Sequence, residues 1–290
     1  MATPAQWLAG ARPKTLPAAL APVLVGTGAA AALDGFDLPA ALLALLVALA
    51  LQVAVNYAND YSDGRRGTDA DRVGPMRLVG SGAASAGQVL VAACLAFGVA
   101  AVAGLVLAAL SSWWLVAVGA VCIVAAWTYT GGPVPYGYRA LGEVFVFVFF
   151  GPVAVVGTTY VQTGSVEELA FAVSVPIGLL IVAILVVNNL RDLDGDAAVG
   201  KRTLAVLLGD RATRLAFAGL FVVAFAVVLA VGITRPWALI ALLAVPLAVP
   251  PARIVLRGGR GPALIGALQG TGLLTLVTGV LLGAGLALSG

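Results

Sequence analysis

Residues 38–63 of this chain read LPAALLALLVALALQVAVNYANDYSD, a long apolar run that ends in a cluster of polar side chains. From Leu38 to Val55 the run contains no charged residue. The next eight residues contain two carboxamides and two carboxylates, at Asn56, Asn59, Asp60 and Asp63. An apolar segment of about 20 residues is typical of a helix that crosses the hydrocarbon core of a membrane. The sequence therefore predicts a membrane-spanning helix that ends in a functional site at the membrane boundary.

A second segment repeats this arrangement later in the chain. Residues 188–196 read NNLRDLDGD and also follow a long apolar run. Helical residues four apart share a face, so each asparagine is expected to lie on one face with the aspartates that follow it. The two predicted stripes consist of Asn56 with Asp60, and of Asn188 with Asp192 and Asp196. We therefore expect the two motifs, including Asp63, to direct oxygen atoms into a common cavity.

Composition sets the class of protein. Hydrophobic residues make up 61% of the chain and charged residues only 10%, which excludes an ordinary soluble domain and indicates an integral membrane protein. The chain contains no histidine, so histidine bases, histidine-ligated metals and haem are excluded, and a metal must be held by oxygen. The two cysteines, Cys94 and Cys122, lie in apolar runs and are interpreted as packing residues.

The apolar runs predict nine membrane-spanning helices in a single domain that covers residues 1–290, with two motif-bearing halves at roughly 1–135 and 136–290. A β-barrel is disfavoured because its strands would alternate apolar and polar residues. The predicted fold is an all-α transmembrane bundle. Its expected spans lie at about 16–33, 38–58, 86–110, 113–130, 141–161, 169–190, 212–233, 236–256 and 263–288.

The distribution of positive charge predicts the topology. With nine spans, every lysine and arginine except Arg235 falls on one side of the membrane. Basic loops face the cytoplasm, so we expect the N-terminus, both motifs and the active-site cavity there, and the C-terminus outside. The chain is therefore predicted to be a multi-pass protein of the cell membrane, whose partner is the lipid bilayer. Nothing in the sequence predicts a nucleic acid or an obligatory protein partner.

The residue types in the motifs favour magnesium. Carboxylates and carboxamides are hard oxygen ligands, and Mg²⁺ combines a few of them with oxygens of a substrate phosphate. Basic residues are interleaved with the acids, which suits a diphosphate bridged by metal ions. The competing interpretation is that the acidic residues are simply solvated on the surface and bind no ligand. This interpretation is preferred for acidic residues outside the repeated pattern. These residues are Asp69, Asp71, Asp194 and Asp210, while Asn59 and Asn189 stay undecided.

A third polar region precedes the fifth predicted span. It contains Tyr129, Tyr138, Arg139 and Glu143. The tyrosines are either interfacial belt residues or part of a substrate wall. Glu143, just inside an apolar helix, needs a partner, and Arg139 four residues earlier is the expected one. Like Tyr129 and Tyr138, Glu143 is also a candidate for contact with the substrate.

These motifs resemble those of the UbiA-type intramembrane aromatic prenyltransferases, a superfamily with nine helices. Further segments resemble the branch that acts on 1,4-dihydroxy-2-naphthoate: RPKTLPA at 12–18, YTGGP at 129–133, LGE at 141–143 and GKRTL at 200–204. The resemblance implies that Mg²⁺ ions held by the four motif aspartates bridge a polyprenyl diphosphate, with Asn56 and Asn188 as further ligands. It also implies that Arg72, Lys201 and Arg139 bind the diphosphate.

The implied reaction is prenylation of 1,4-dihydroxy-2-naphthoate with loss of its carboxylate, giving demethylmenaquinone for menaquinone biosynthesis. Lys14 is a candidate for binding the acceptor carboxylate, with a positive-inside anchor as the competing interpretation. Two alternatives remain at this point. One is a prenyltransferase for another acceptor, such as 4-hydroxybenzoate or homogentisate. The other is a secondary transporter, which the concentration of polar residues at one end of the bundle disfavours.

Overall fold

The computed structural model of the protein describes residues 2–67 and 76–290 and is helical throughout these ranges, apart from turns and loops. Within these two ranges, seven helices are long and apolar enough to cross a membrane. They are α3 (Leu38–Arg66), α4 (Ala86–Leu110), α6 (Gly142–Thr163), α7 (Glu168–Arg191), α9 (Leu204–Thr234), α10 (Pro236–Leu256) and α11 (Pro262–Ala287). The two shorter apolar helices are α2 (Pro17–Ala31) and α5 (Leu115–Thr128). The polar or very short helices are α1 (Pro4–Ala11) and α8 (Leu193–Ala198).

Each predicted span overlaps an apolar helix of the described residues, but two of these helices, α2 and α5, are shorter than the seven that could cross a membrane, and some ends differ. Helix α3 continues to Arg66 instead of ending near residue 58, so the first acidic motif lies on the helix and not in a loop. Helix α9 begins at Leu204 and is interrupted at Gly209, whose φ of 78° is favourable for glycine. Helix α1 was not predicted, although a reciprocal capping box between Thr3 and Gln6 stabilises its start.

Small residues bring helices α2 and α11 into close contact. A Cβ atom added to Gly28 would collide with the carbonyl group of Gly283, and one added to Gly279 would lie 2.7 Å from Cβ of Ala21. Close approach of backbones at small residues is a usual way to pack helices in membranes. This contact joins the first and the last apolar helices of the chain.

Buried apolar side chains form several clusters. One lies between α1, α3, α4 and the loop before α4, and Leu78 from that loop is fully buried in it. The two largest clusters involve α7 and α9 together with α2, α6, α10 and α11. Helix α7 contributes to both of these clusters and is therefore central to this part of the bundle. The second acidic motif begins at its end.

Helix α6 contains a π-helical turn at Phe149–Val153, which includes Pro152. Such turns interrupt the regular hydrogen-bond ladder and often occur near functional sites. At this turn Gly151 packs against α7, where a Cβ atom would lie 3.2 Å from Cα of Gly178. The contact fixes the start of α6, with Glu143 and Phe145, beside the end of α7.

Candidate active site

Asp63 is the residue of the first motif that faces the loop between α5 and α6. Its Oδ1 atom accepts a hydrogen bond of 2.9 Å from the hydroxyl group of Tyr138. Its Oδ2 atom lies 3.4 Å from a guanidinium nitrogen of Arg77. Both side chains are largely buried, so the carboxylate and the guanidinium interact in an environment of reduced dielectric.

The second motif begins at the last residues of α7 and continues in α8. Asp192 forms a bidentate ion pair with Arg191, with both nitrogen–oxygen distances at 2.7 Å. Asp196 lies on α8, and its Oδ1 atom is 3.3 Å from the ammonium nitrogen of Lys201. The backbone nitrogen of Lys201 also donates to the carbonyl oxygen of Asp196 at 2.8 Å. Each acid of this motif therefore lies beside a cation.

Tyr138 connects the two motifs. While its hydroxyl group donates to Asp63, its ring lies 5.1 Å from the ammonium nitrogen of Lys201 and 5.2 Å from the guanidinium carbon of Arg66. Its carbonyl oxygen accepts a hydrogen bond of 3.1 Å from the backbone nitrogen of Arg202. The structure thus brings Asp63 and Asp196 to the same end of the bundle, on either side of one tyrosine.

The loop that carries Tyr138 is anchored on α3. The guanidinium of Arg66 donates to the carbonyl oxygens of Thr130 and Gly132, the latter at 2.6 Å. The hydroxyl group of Thr130 donates to Oδ1 of Asn59 at 2.8 Å. Asn59, which the sequence pattern left undecided, therefore holds the loop that presents Tyr138.

Asp60 and Asn56 make different contacts from those expected. Asp60 is fully buried, and its two oxygens accept backbone hydrogen bonds from Leu78 at 2.7 Å and Val79 at 3.0 Å. The amide of Asn56 donates to the carbonyl oxygen of Ala11 and to Thr15, both at 2.9 Å. These bonds hold the loop before α4 and the turn after α1 against α3. They favour a structural role for both residues, and metal ligation by them stays a prediction without a supporting contact.

An aromatic wall, defined as Tyr129, Tyr136, Phe145 and Phe149, lies beside these acids. The rings of Tyr136 and Phe145 stack with centroids 4.2 Å apart, and Tyr129 meets Tyr136 edge to face at 5.5 Å. Burial raises the pKa of both tyrosines, and for Tyr129 the charges of Glu143, Asp63 and Asp196 raise the pKa further. Both hydroxyl groups therefore stay protonated, and Tyr129 lies within electrostatic reach of both motifs.

The expected pairing of Glu143 with Arg139 is wrong. Glu143 is buried, and Oε1 accepts a hydrogen bond of 2.9 Å from the side-chain amide of Asn189. Arg139 is exposed, and its backbone forms an isolated bridge with Arg202. Helix α6 begins only at Gly142, so Arg139 and Glu143 do not lie on one helix and the four-residue rule does not apply to them.

The remaining predicted residues lie in varied environments. Lys14 is exposed on the turn Pro13–Thr15, Asn188 is half-buried one turn before Asp192, and Asp194 is exposed as expected for a solvated residue. Arg72 lies outside the described residues, as do Asp69 and Asp71. The sequence pattern placed Arg77 and Arg191 only among the basic residues interleaved with the acids, and it left Asn189 undecided. The contacts of Arg77 with Asp63 and of Asn189 with Glu143 join residues that are 14 and 46 positions apart, which a local pattern does not report.

The donor atoms suit magnesium without forming a closed cage. Among residues 2–67 and 76–290, no three acidic or cysteine side chains converge closely enough to hold a metal ion by themselves. Mg²⁺ usually takes only one or two carboxylates and completes its shell with water and phosphate oxygens. Asp63, Asp192 and Asp196 provide such carboxylates at one end of the bundle, beside cations that suit an anionic ligand. The chemistry of this donor set therefore fits Mg²⁺ together with a diphosphate.

Open grooves of about 620 and 450 Å³ lie away from both motifs, between α1 and α4 and between α7 and α9. They are lined mainly by apolar side chains and contain no motif residue. The chemistry-bearing groups are instead concentrated around Tyr138.

Comparisons with known proteins show the family and the fold of the chain. The chain is 54% identical over 277 residues to the 1,4-dihydroxy-2-naphthoate octaprenyltransferase of Mycobacterium tuberculosis (strain ATCC 25618 / H37Rv), covering 96% of this chain and 95% of that protein. Its fold matches the apo structure of a UbiA homologue from Aeropyrum pernix K1 with a TM-score of 0.70 at 18% identity, over 92% of this chain and 96% of that one.

A second structural match is a UbiA homologue from Archaeoglobus fulgidus bound to GPP and Mg²⁺. The TM-score is 0.61 at 15% identity, over 96% of this chain and 99% of that one. The family model described as the UbiA prenyltransferase family matches residues 19–263 of the chain. Since this match covers most of the sequence and includes both acidic motifs, the chain belongs to the UbiA prenyltransferase family.

Proposed function

We propose that this protein transfers a polyprenyl group from polyprenyl diphosphate to 1,4-dihydroxy-2-naphthoate in a Mg²⁺-dependent reaction. The carboxylate of the acceptor is lost, and the product is demethylmenaquinone in its reduced form, an intermediate of menaquinone biosynthesis. The observation that carries this proposal is the meeting of both acidic motifs at Tyr138, in a chain that is 54% identical to a relative named for this acceptor.

In this proposal Asp63, Asp192 and Asp196 hold the metal ions, with Asn188 as a neutral ligand on the same stripe. When bound, Mg²⁺ supplies positive charge that stabilises the diphosphate as a leaving group. Lys201 and Arg77 lie beside these acids and are placed to bind diphosphate oxygens. Arg72 and Arg139 belong to the same proposal on the basis of the family resemblance. The ligand-bound homologue supports the assignment of metal and diphosphate.

The aromatic wall provides the surface for the organic groups. Aromatic faces stabilise cations, which suits the allylic cation that forms when the bond to diphosphate breaks. The stack of Tyr136 on Phe145 is also a flat surface for a naphthalene ring. Tyr129 and Tyr138 offer hydroxyl groups nearby, and Lys14 is the proposed partner of the acceptor carboxylate. Exclusion of water by these side chains protects the cation from hydrolysis.

The membrane arrangement is proposed from the same helices. The seven long apolar helices and the two shorter ones, α2 and α5, support nine spans. Because the basic residues are concentrated at the motif end, this end faces the cytoplasm and the C-terminus lies outside the cell membrane. An active site at that end is accessible to a charged acceptor that is soluble in the cytoplasm.

The direct test uses the purified protein in detergent with Mg²⁺, a polyprenyl diphosphate and 1,4-dihydroxy-2-naphthoate. We expect equal amounts of prenylated product, diphosphate and carbon dioxide, measured by mass spectrometry and gas release. Greater turnover with 4-hydroxybenzoate or homogentisate would assign a different acceptor. No membrane gradient exists in detergent, so absence of any turnover there would contradict an enzymatic function and favour transport.

A further inference from the structure

Glu143 is a buried carboxylate without a cation among its contacts in the described part of the chain. It is 6% exposed, and its side-chain partner is the amide of Asn189, which is itself 5% exposed. Burial of a carboxylate in an apolar bundle is unfavourable unless it is paired or serves a function. None of the ion pairs among the described residues includes Glu143, although basic residues are abundant at this end of the bundle.

Two neutral features offset part of the unfavourable burial of the Glu143 carboxylate. It lies in the first turn of α6, where the backbone N–H groups and the helix dipole stabilise negative charge. Asn189 donates an N–H group to Oε1, which also stabilises a carboxylate over a carboxylic acid. Neither the start of α6 nor the Asn189 amide carries a full positive charge, so the carboxylate can still accept a proton. A salt bridge with arginine would oppose protonation.

The position of Glu143 relates it to both proposed substrates. Phe145, two residues later, stacks on Tyr136 and forms the flat part of the aromatic wall. Tyr129 packs beside the start of α6, where a Cβ atom added to Gly142 would lie 3.4 Å from Cε2 and 3.8 Å from the hydroxyl oxygen of Tyr129. Because Glu143 contacts Asn189 at the end of α7, an acceptor ring bound between this wall and the second motif would lie close to Glu143.

We propose that Glu143 is the general base that removes the proton from the acceptor hydroxyl group next to the carboxylate, and that Asn189 is the residue that positions Glu143. This inference rests on the proposed function and adds a catalytic group to it. The sequence pattern assigned Asn189 no role, and paired Glu143 with Arg139.

The acceptor O–H bond breaks, its proton moves to Glu143, and the electron pair enters the ring. The carboxylate-bearing carbon then forms a bond to the allylic carbon, and the bond from that carbon to the diphosphate oxygen breaks with its electron pair. The resulting β-keto acid loses carbon dioxide, and the electron pair left behind restores the aromatic ring. The ring oxygen takes back the proton from Glu143, which regenerates the carboxylate.

The first experiment compares wild-type protein with Glu143→Gln, which keeps the size and the hydrogen bond to Asn189. We expect kcat to fall about 100-fold, since general base catalysis typically contributes 10²–10⁴-fold. The KM for polyprenyl diphosphate and the melting temperature should not change. Glu168→Gln, an exposed substitution at the other end of α7, is the matched control and should keep wild-type activity. Retention of kcat within about threefold in Glu143→Gln would overturn the proposal.

A second acceptor separates base catalysis from a structural role. A fluorinated 1,4-dihydroxy-2-naphthoate has a more acidic hydroxyl group and depends less on a base. The ratio of wild-type to variant kcat should therefore be smaller with this acceptor, and an equal ratio would overturn the proposal. If Glu143→Gln does not fold, the kcat of Asn189→Ala is measured with both acceptors. We expect a lower kcat with a smaller loss for the fluorinated acceptor, and an unchanged kcat or an equal loss would overturn the proposal. Failure of the wild-type protein to prenylate either acceptor would instead contradict the proposed function.

Discussion

The hydroxyl group of Tyr138 lies 2.9 Å from Oδ1 of Asp63, and this hydrogen bond joins the loop between α5 and α6 to the first acidic motif. The same ring faces Lys201, which pairs with Asp196 of the second motif. The two motifs are far apart in sequence, and this tyrosine is their meeting point.

Replacement of Tyr138 by phenylalanine removes the hydrogen bond to Asp63 but keeps the ring that faces Lys201 and Arg66. A hydrogen bond to a charged group contributes about 1.5–3 kcal/mol, so we expect turnover to fall roughly 10- to 100-fold. The measurement is kcat at saturating substrates. Tyr160→Phe removes a hydroxyl group that contacts Trp114 away from the site, and it should keep wild-type turnover. Equal turnover of the two variants would contradict a role for the Tyr138 hydroxyl group.

Asp63 and Asp60 should respond differently to conversion into asparagine. Asp63→Asn is expected to reduce turnover by at least about 100-fold, since a metal ligand is lost. Asp60→Asn replaces an oxygen that accepts a backbone hydrogen bond with an amide group that cannot, at a fully buried site. The expected cost is about 1–3 kcal/mol of folding free energy, visible as a lower melting temperature in detergent. The reverse assignment of the two effects would show that Asp60 is the ligand.

Removal of Mg²⁺ with a chelator should abolish turnover, and added Mg²⁺ should restore it. Asp192→Asn is expected to raise the Mg²⁺ concentration for half-maximal activity about 10-fold or more, because one carboxylate ligand is lost. Asp194→Asn is the matched control, two residues away on an exposed side chain. Its Mg²⁺ requirement should equal that of the wild type. A parallel shift in both variants would indicate a general effect of surface charge.

Lys14→Met tests whether Lys14 binds the acceptor carboxylate. If the ammonium group binds this carboxylate, the KM for 1,4-dihydroxy-2-naphthoate should rise about 10-fold or more, as expected for loss of a charge-assisted hydrogen bond. The KM for polyprenyl diphosphate serves as the internal control and should stay constant. An unchanged KM for the naphthoate would leave Lys14 as a membrane-boundary anchor.

The close contact between α2 and α11 should contribute to the stability of the folded protein. Gly28→Ala introduces a methyl group that meets the backbone of Gly283, and overpacking of this kind typically costs about 1–3 kcal/mol. Gly104→Ala, on α4, meets no atom within 4 Å and should be neutral or slightly stabilising. Thermal unfolding in one detergent gives the comparison. A melting temperature for Gly28→Ala equal to that of Gly104→Ala would exclude a tight contact in solution.

Apolar length is a local property of the sequence and was sufficient to place the apolar helices, but it did not predict the short helix α1. The sequence also singled out Asp63 and Asp196, which the structure places at one end of the bundle beside Tyr138, and their binding of metal ions stays a prediction. It could not predict that Asp60 binds the backbone of Leu78 and Val79, because those donors lie in a loop whose path depends on tertiary packing. The predicted pairing of Glu143 with Arg139 was wrong for a simpler reason. The helix containing it starts after Arg139, and Ala140 between them adopts a positive φ of 56°.

The double role of Tyr138 has a thermodynamic consequence. Its hydroxyl group interacts with Asp63, while its ring interacts with Lys201, the partner of Asp196. A ligand that draws Asp63 away from the hydroxyl group of Tyr138 frees the Tyr138 side chain to move. The interaction of its ring with Lys201, which lies beside Asp196, then changes. By linkage, a ligand at Asp196 must alter the affinity at Asp63 by the same factor. Occupation of the two acidic motifs should therefore be cooperative, with one aromatic side chain transmitting the coupling.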